Sequence, residues 1–113
     1  MSLDVYLEDQ FCDHCGRSEE VFWRNMTHNL GKMASVAELY IPLWDPSSIG
    51  ITKAKDLIKP LKKGLARLLV NPERYKAFNP DNGWGSYDGL VIFVEKYLKA
   101  CKTYPDARIK ISK

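Results

Sequence analysis

Long apolar runs are missing from this chain. The longest uncharged apolar stretch, Gly89 to Val94, is far too short to span a bilayer. The opening Met1-Ser2-Leu3-Asp4-Val5 has neither a basic n-region nor an apolar h-region, so no secretion signal is expected. Cysteine is scarce: three residues make an odd count, and Cys12 and Cys15 stand only two residues apart. That spacing argues against a disulfide framework and for a reduced, cytoplasmic protein. There is no glycine-rich phosphate loop ending in Lys-Ser/Thr, no dinucleotide fingerprint, no nucleophile elbow and no His-Glu-x-x-His pair. No paired carboxylates stand out either, so the sequence leans away from an enzyme without excluding one. No internal repeat, low-complexity tract or coiled-coil heptad interrupts the pattern.

What remains is the composition of one ordinary globular domain. The chain has 113 residues, 45% of them hydrophobic and 27% charged, with aromatics spread from Tyr6 to Tyr104. The net charge of +3 is unevenly placed. Residues 1–25 carry six acids against two bases, and residues 52–76 carry eight bases against two acids. The asymmetry either steers an anionic ligand toward the central segment or marks a solvated helix face partly paired with the acidic hairpin. The basic residues lack interleaved aromatics and no recognition-helix module is readable, which argues against nucleic acid as a partner.

The periodicity predicts an α+β fold. Leu3 to Glu8 and Ala107 to Ser112 alternate with period two, and Glu20 to Asn25 contains Val-Phe-Trp; these read as three strands of a small antiparallel sheet, an N-terminal hairpin plus a C-terminal strand. Between them the pattern is helical. A first helix is expected from a Thr27 or Asn25 cap to about Leu39, followed by a turn-rich connection through Pro42, Trp44, Pro46 and Gly50. Thr52 should cap a second helix with Leu57, Ile58, Leu61, Leu65, Leu68 and Leu69 inward, bent or started by Pro60. Asn71-Pro72 should open a short helix to about Phe78. Ser86 should cap a last one from Tyr87 to about Thr103, with Leu90, Val91, Val94, Tyr97, Leu98 and Cys101 as its buried stripe. Three to four helices would then cover one face of the sheet within a single domain, residues 1–113.

Three clusters could carry chemistry. Cys12-x-x-Cys15 is half of a zinc knuckle, and His28 follows at zinc-finger distance; His14 or Cys101 would have to complete the set. The alternative is two reduced thiols at a hairpin tip. Asn25, Thr27, His28 and Asn29 crowd the expected start of a helix, where free amides and neutral donors suit a nucleotide, sugar or phosphate, or merely cap the helix. The segment Asn79 to Asp88 offers Asn82, Trp84, Tyr87 and Asp88: aromatic stacking with polar contacts, or an aromatic plug on the core. Asp88 has no evident partner for general-base work.

The motifs Asp4-Val5-Tyr6-Leu7-Glu8, Cys12-x-x-Cys15-Gly16-Arg17 and Asn25-Met26-Thr27-His28-Asn29-Leu30-Gly31 resemble those of a group of small phage, prophage and bacterial proteins with no assigned activity. The resemblance extends through Leu43-Trp44-x-Pro46 and the run from Asn79 to Tyr87. It implies a compact accessory protein, by analogy a counter-defence factor that binds a host protein or sequesters a signalling nucleotide; it brings no catalytic residue. Taken together, the sequence favours a non-enzymatic module whose pocket, lined by Thr27, His28, Trp84 and Tyr87, holds a small polar or nucleotide-like ligand. An inhibitor or adaptor acting on a host protein is the alternative, favoured by an exposed patch containing Phe22, Trp23 or Trp44. A small zinc-dependent hydrolase comes third. Exposed aromatics also leave room for a homo-oligomer.

Overall fold

Alternation decides the face of the first strand, β1 (Ser2–Cys12): Leu3, Val5 and Leu7 are fully buried, while Asp4, Tyr6 and Glu8 lie on the other side. The computed structural model describes residues 2–12, 17–80, 83 and 85–113. Residues 13–16, which include Cys15, and Asn82 and Trp84 lie outside it. Strand β2 (Arg17–Thr27) pairs antiparallel with β1, setting Met26, Arg24 and Phe22 opposite Leu3, Val5 and Leu7. The register shifts between Leu7 and Glu8, so that Glu20 faces Glu8 and Val21 is the extra residue of a bulge. Strand β3 (Arg108–Ser112) pairs antiparallel with the other edge of β1, giving the order β2-β1-β3. The hairpin strands run past their alternating segments because the antiparallel ladder continues regardless of side-chain pattern.

The helical layer is more broken than the sequence suggests. A 3-10 turn (His28–Leu30) precedes α1 (Gly31–Val36), and the chain leaves the helix before Leu39. Glu38 adopts a left-handed conformation with φ 60°, its N–H donating to the Ser35 carbonyl at 3.0 Å. The Leu39 N–H donates to the Ala34 carbonyl at 2.7 Å. This pair of bonds is a Schellman stop with glutamate where glycine is usual. Where a turn-rich connection was expected, α2 (Tyr40–Trp44) forms. Pro42 is tolerated because it sits in the first turn, where N–H groups lack intrahelical acceptors anyway. A second 3-10 turn (Pro46–Ile49) ends at Gly50, φ 79°.

The long helix α3 (Ala54–Val70) has Lys53, not Thr52, at its cap position. Its first amides are taken by distant backbone: Ala54 N–H donates to the Ala107 carbonyl at 2.9 Å and Lys55 N–H to that of Pro105 at 2.8 Å. The Thr52 carbonyl in turn accepts from Ile109 N–H at 3.0 Å. Pro60 lies inside α3 and does not mark its first turn. The short α4 (Pro72–Lys76) follows, and α5 (Tyr87–Thr103) has the bounds expected, with Ser86 Oγ accepting from Gly89 N–H at 3.1 Å.

Helices α3 and α5 pack on each other over the inner face of the sheet. Leu57, Leu61 and Leu68 meet Leu90, Phe93, Val94, Tyr97, Leu98 and Cys101 in the core. Leu69, expected inward, is 53% exposed, whereas Phe93 joins the buried stripe. Phe22 of the sheet stacks on Tyr97 at 5.7 Å, and Phe93 meets Tyr97 edge-on at 6.0 Å. Among the described residues no helix is long and apolar enough to cross a membrane.

Two predictions follow from the packing. A Cβ built at Gly64 in α3 would collide with the buried Leu39 side chain. Gly64→Ala therefore loses stability, about 1 kcal/mol net, because overpacking of about 1–3 kcal/mol outweighs the gain in helix propensity. Urea unfolding checks the sign; a more stable variant would mean Leu39 swings aside at no cost.

The second concerns pH. Burial pushes the Cys101 thiol from 9.0 up to about 12 and holds the Tyr97 phenol well above its usual 10.0. The unfolded chain releases these protons first, so stability is intact below about pH 9. It then falls as pH rises, by up to ~1.4 kcal/mol per pH unit for the thiol. Urea midpoints between pH 7 and 10.5 should decline, and Cys101→Ala should delay the onset.

Candidate functional site

The five-residue junction is divided by the strand it terminates. Asn25 belongs to β2 and projects onto the open face of the sheet, where its Nδ2 donates to Asp4 Oδ1 at 2.9 Å. Trp23 Nε1 donates to the same oxygen at 3.2 Å, and Trp23 is 54% exposed. Met26 points into the core. Thr27 caps the 3-10 turn, its Oγ1 accepting from Asn29 N–H at 3.2 Å. A three-residue turn followed by six residues of helix has too short a dipole to attract an anion strongly. The expectation of an anion-binding helix end therefore gives way to a capped turn.

His28 sits differently. It is half-buried with its ring 6.1 Å from that of Trp44, and Nε2 is sheltered from solvent with no hydrogen-bond partner among the described residues. Trp44 is itself buried and stacks on Tyr40 at 4.9 Å, so the histidine rests on a fixed aromatic base. Asn29 is exposed beside it.

The 79–88 segment does come to this junction. A Cβ at Gly85, φ 99°, would lie 2.7 Å from Thr27 Cγ2 and 3.0 Å from Leu30 Cγ. Only a glycine permits that approach. Tyr87, however, is a plug rather than a ligand-facing platform. It is buried, its N–H donates to Asn79 Oδ1 at 2.8 Å, and its hydroxyl donates to the Leu68 carbonyl at 2.6 Å. The helical partner of that carbonyl would be residue 72, a proline without an N–H, so Tyr87 supplies the missing donor. Burial, and then the nearby Asp88 carboxylate, raise the Tyr87 phenol above its ordinary range. Asp88 is exposed in the first turn of α5.

Among the described zinc candidates, Cys12 and His28 are not brought together. Thr27, directly before His28, pairs with Ser2, whereas Cys12 pairs with Arg17 at the far end of an 11-residue strand. At about 3.3 Å per residue the separation is roughly 30 Å, far beyond the ~2 Å reach of a metal–ligand bond. Cys101 is buried in α5. No group of three or more His, Cys, Asp or Glu side chains among the described residues could hold a metal ion.

One contact escaped the sequence reading. Arg67 of α3 reaches back to α1's stop, pairing with Glu38 at 2.8 Å and donating to the Ala37 carbonyl at 3.3 Å. No local signal announces it, since Glu38 and Arg67 are joined only once α1 and α3 pack. Comparison with protein-family models, curated proteins and solved structures finds no match.

If Tyr87 is a plug, Tyr87→Phe should cost about 1–2 kcal/mol by stranding the Leu68 carbonyl, while leaving the ring in place. Equilibrium unfolding measures the loss; an unchanged midpoint would remove the hydroxyl from this role.

Proposed function

We propose that the protein is a non-enzymatic binding module for a small polar, nucleotide-like ligand, seated where the Thr27–Asn29 turn meets the 79–88 segment. The observation that carries this reading is His28 Nε2, sheltered and without a partner among the described residues, next to the close contact of Gly85 with Thr27. An unpaired buried polar atom costs about 1–3 kcal/mol, and a ligand donor or acceptor at this point would recover it. Neutral side chains around it, Asn29 and the Thr27 hydroxyl, suit a base or sugar edge better than a bare anion. The resemblance to phage proteins supports an accessory, counter-defence role in which such a ligand is sequestered.

A second reading has its own observation. Trp23, 54% exposed beside Tyr6 on the open sheet face, is the kind of aromatic anchor that protein interfaces use. An adaptor or inhibitor binding a host protein would act through this face.

Native mass spectrometry of gently purified protein, run for the parent chain, His28→Ala and Trp23→Ala, separates the two. A co-purified small molecule held by the parent and by Trp23→Ala, with at least about tenfold weaker retention (1.4 kcal/mol) in His28→Ala, supports the first. A bare mass, with a host protein captured by the parent and lost in Trp23→Ala, supports the second and overturns the first.

A further inference from the structure

Along α3, Lys59, Lys63 and Arg67 follow one another at intervals of four residues, so they form a single stripe with steps of about 6 Å. The stripe borders two adjoining grooves. The larger, of about 710 Å³, lies between α1, α3 and α4 and is lined by Val36, Glu38, Arg67, Asn71, Arg74 and Tyr75 among others. The smaller, of about 400 Å³, is lined by Glu38, Lys59, Pro60, Lys63 and Arg67. Both share Glu38 and Arg67, which makes them one channel with the ion pair at its waist.

Four cations meet one carboxylate there. Among the described residues Lys59, Lys63 and Arg74 take part in no ion pair. Of the four, Arg67 is ion-paired and Arg74 lies over the Tyr75 ring at 5.8 Å; Glu38 is held in a left-handed conformation that favours glycine. The backbone thus carries strain at the residue that supplies the groove's only negative charge. A concave surface on which cations outnumber carboxylates concentrates the positive potential it projects.

We propose that this channel binds a polyphosphate chain, with Glu38 occupying Arg67 until a phosphate displaces it. Charges spread along a chain fit a row of spaced cations better than a single carboxylate does. A guanidinium fork also takes phosphate in the same bidentate manner as it takes Glu38. The channel offers a base no stacking platform, since Tyr75, the aromatic among its described lining residues, is 3% exposed. Recognition therefore ends at the phosphates, whether they come from free polyphosphate or from the tail of a nucleotide. The inference is independent of the His28 junction.

The test is calorimetric titration at about 50 mM salt, where screening is modest, with inorganic tripolyphosphate, ATP and adenosine as probes. Tripolyphosphate should bind, and adenosine should not compete with it. ATP binding with a similar affinity would add nucleotide tails to the ligands, and its exclusion would restrict them to free chains. Lys59→Gln/Lys63→Gln/Arg74→Gln should weaken tripolyphosphate about tenfold or more, the range for three exposed charge contacts. The charge-matched Lys96→Gln/Lys99→Gln/Lys102→Gln on α5 should change it by less than about twofold. Glu38→Gln should tighten it about two- to threefold, and His28→Ala should leave it unaltered. No tripolyphosphate binding by the parent protein, or equal losses in the two triple variants, would overturn the proposal. So would displacement of bound tripolyphosphate by adenosine.

Discussion

Strand β1 is hydrogen-bonded on both edges, so its three inward side chains have no choice of face. Slipping a neighbour by one residue would turn that neighbour's own inward side chains outward, Met26 of β2 or Ile109 and Ile111 of β3. That constraint fixes Met26 and Phe22 on one side and Ile109 and Ile111 on the other as the apolar surface that α3 and α5 cover. It equally fixes what the uncovered face presents: Trp23, Tyr6 and Lys110 in one cross-strand row, with Asn25, Asp4 and Ser112 in the next. The core and the exposed aromatic face are two consequences of one register.

The same economy governs the helical layer. The start of α3 is tied to the segment entering β3 by backbone bonds from Ala54 and Lys55, and Ile109 is tied back to Thr52. The start of the helix and the strand are therefore held together, although Ala54 and Ala107 lie more than fifty positions apart in the chain. At the other side Leu39 fills the space that Gly64 leaves, and Glu38, forced into the left-handed region by the stop before Leu39, is directed at Arg67. One tight helix–helix contact thus sets both the strained residue and the ion pair at the waist of the basic channel.

Much of this was legible because the signals were local. Ser86 as a cap, followed by unbroken helical spacing, predicts Tyr87–Thr103 to the residue. Alternation predicts the faces of β1 and β3. What was not legible depends on partners far away in the chain. Thr52 is a good cap by type, but distant carbonyls take the amides it would have served. Pro42 and Pro46 read as breakers, yet the first falls where a helix tolerates proline. Glu38 stops a helix without glycine. At the candidate site, the approach of the 79–88 segment to Thr27 is expected from sequence, whereas Asn25, readable as strand end or helix cap, is settled as a strand residue because β2 runs on to Thr27. Tyr87 reads as a stacking platform or as a plug from sequence alone, because the carbonyl that decides for the plug, orphaned by Pro72, lies nineteen residues away.

The charge pattern takes on a different meaning in three dimensions. An acidic hairpin and a basic helix close in sequence could have neutralised each other. Among the described residues the ion pairs are Arg67–Glu38 and Lys76–Glu73, and neither joins the hairpin to α3. Asp4, Glu8 and Glu20 sit on the open side of the sheet, with the basic stripe on the helical layer that covers its other side. Arg108, opposite Glu8, and Lys110, over Tyr6, share that open face, so the carboxylates there are offset on their own sheet and not by α3. The two surfaces that attract attention, one aromatic and flanked by carboxylates, the other cationic and concave, are therefore suited to different partners, and occupancy of one need not obstruct the other.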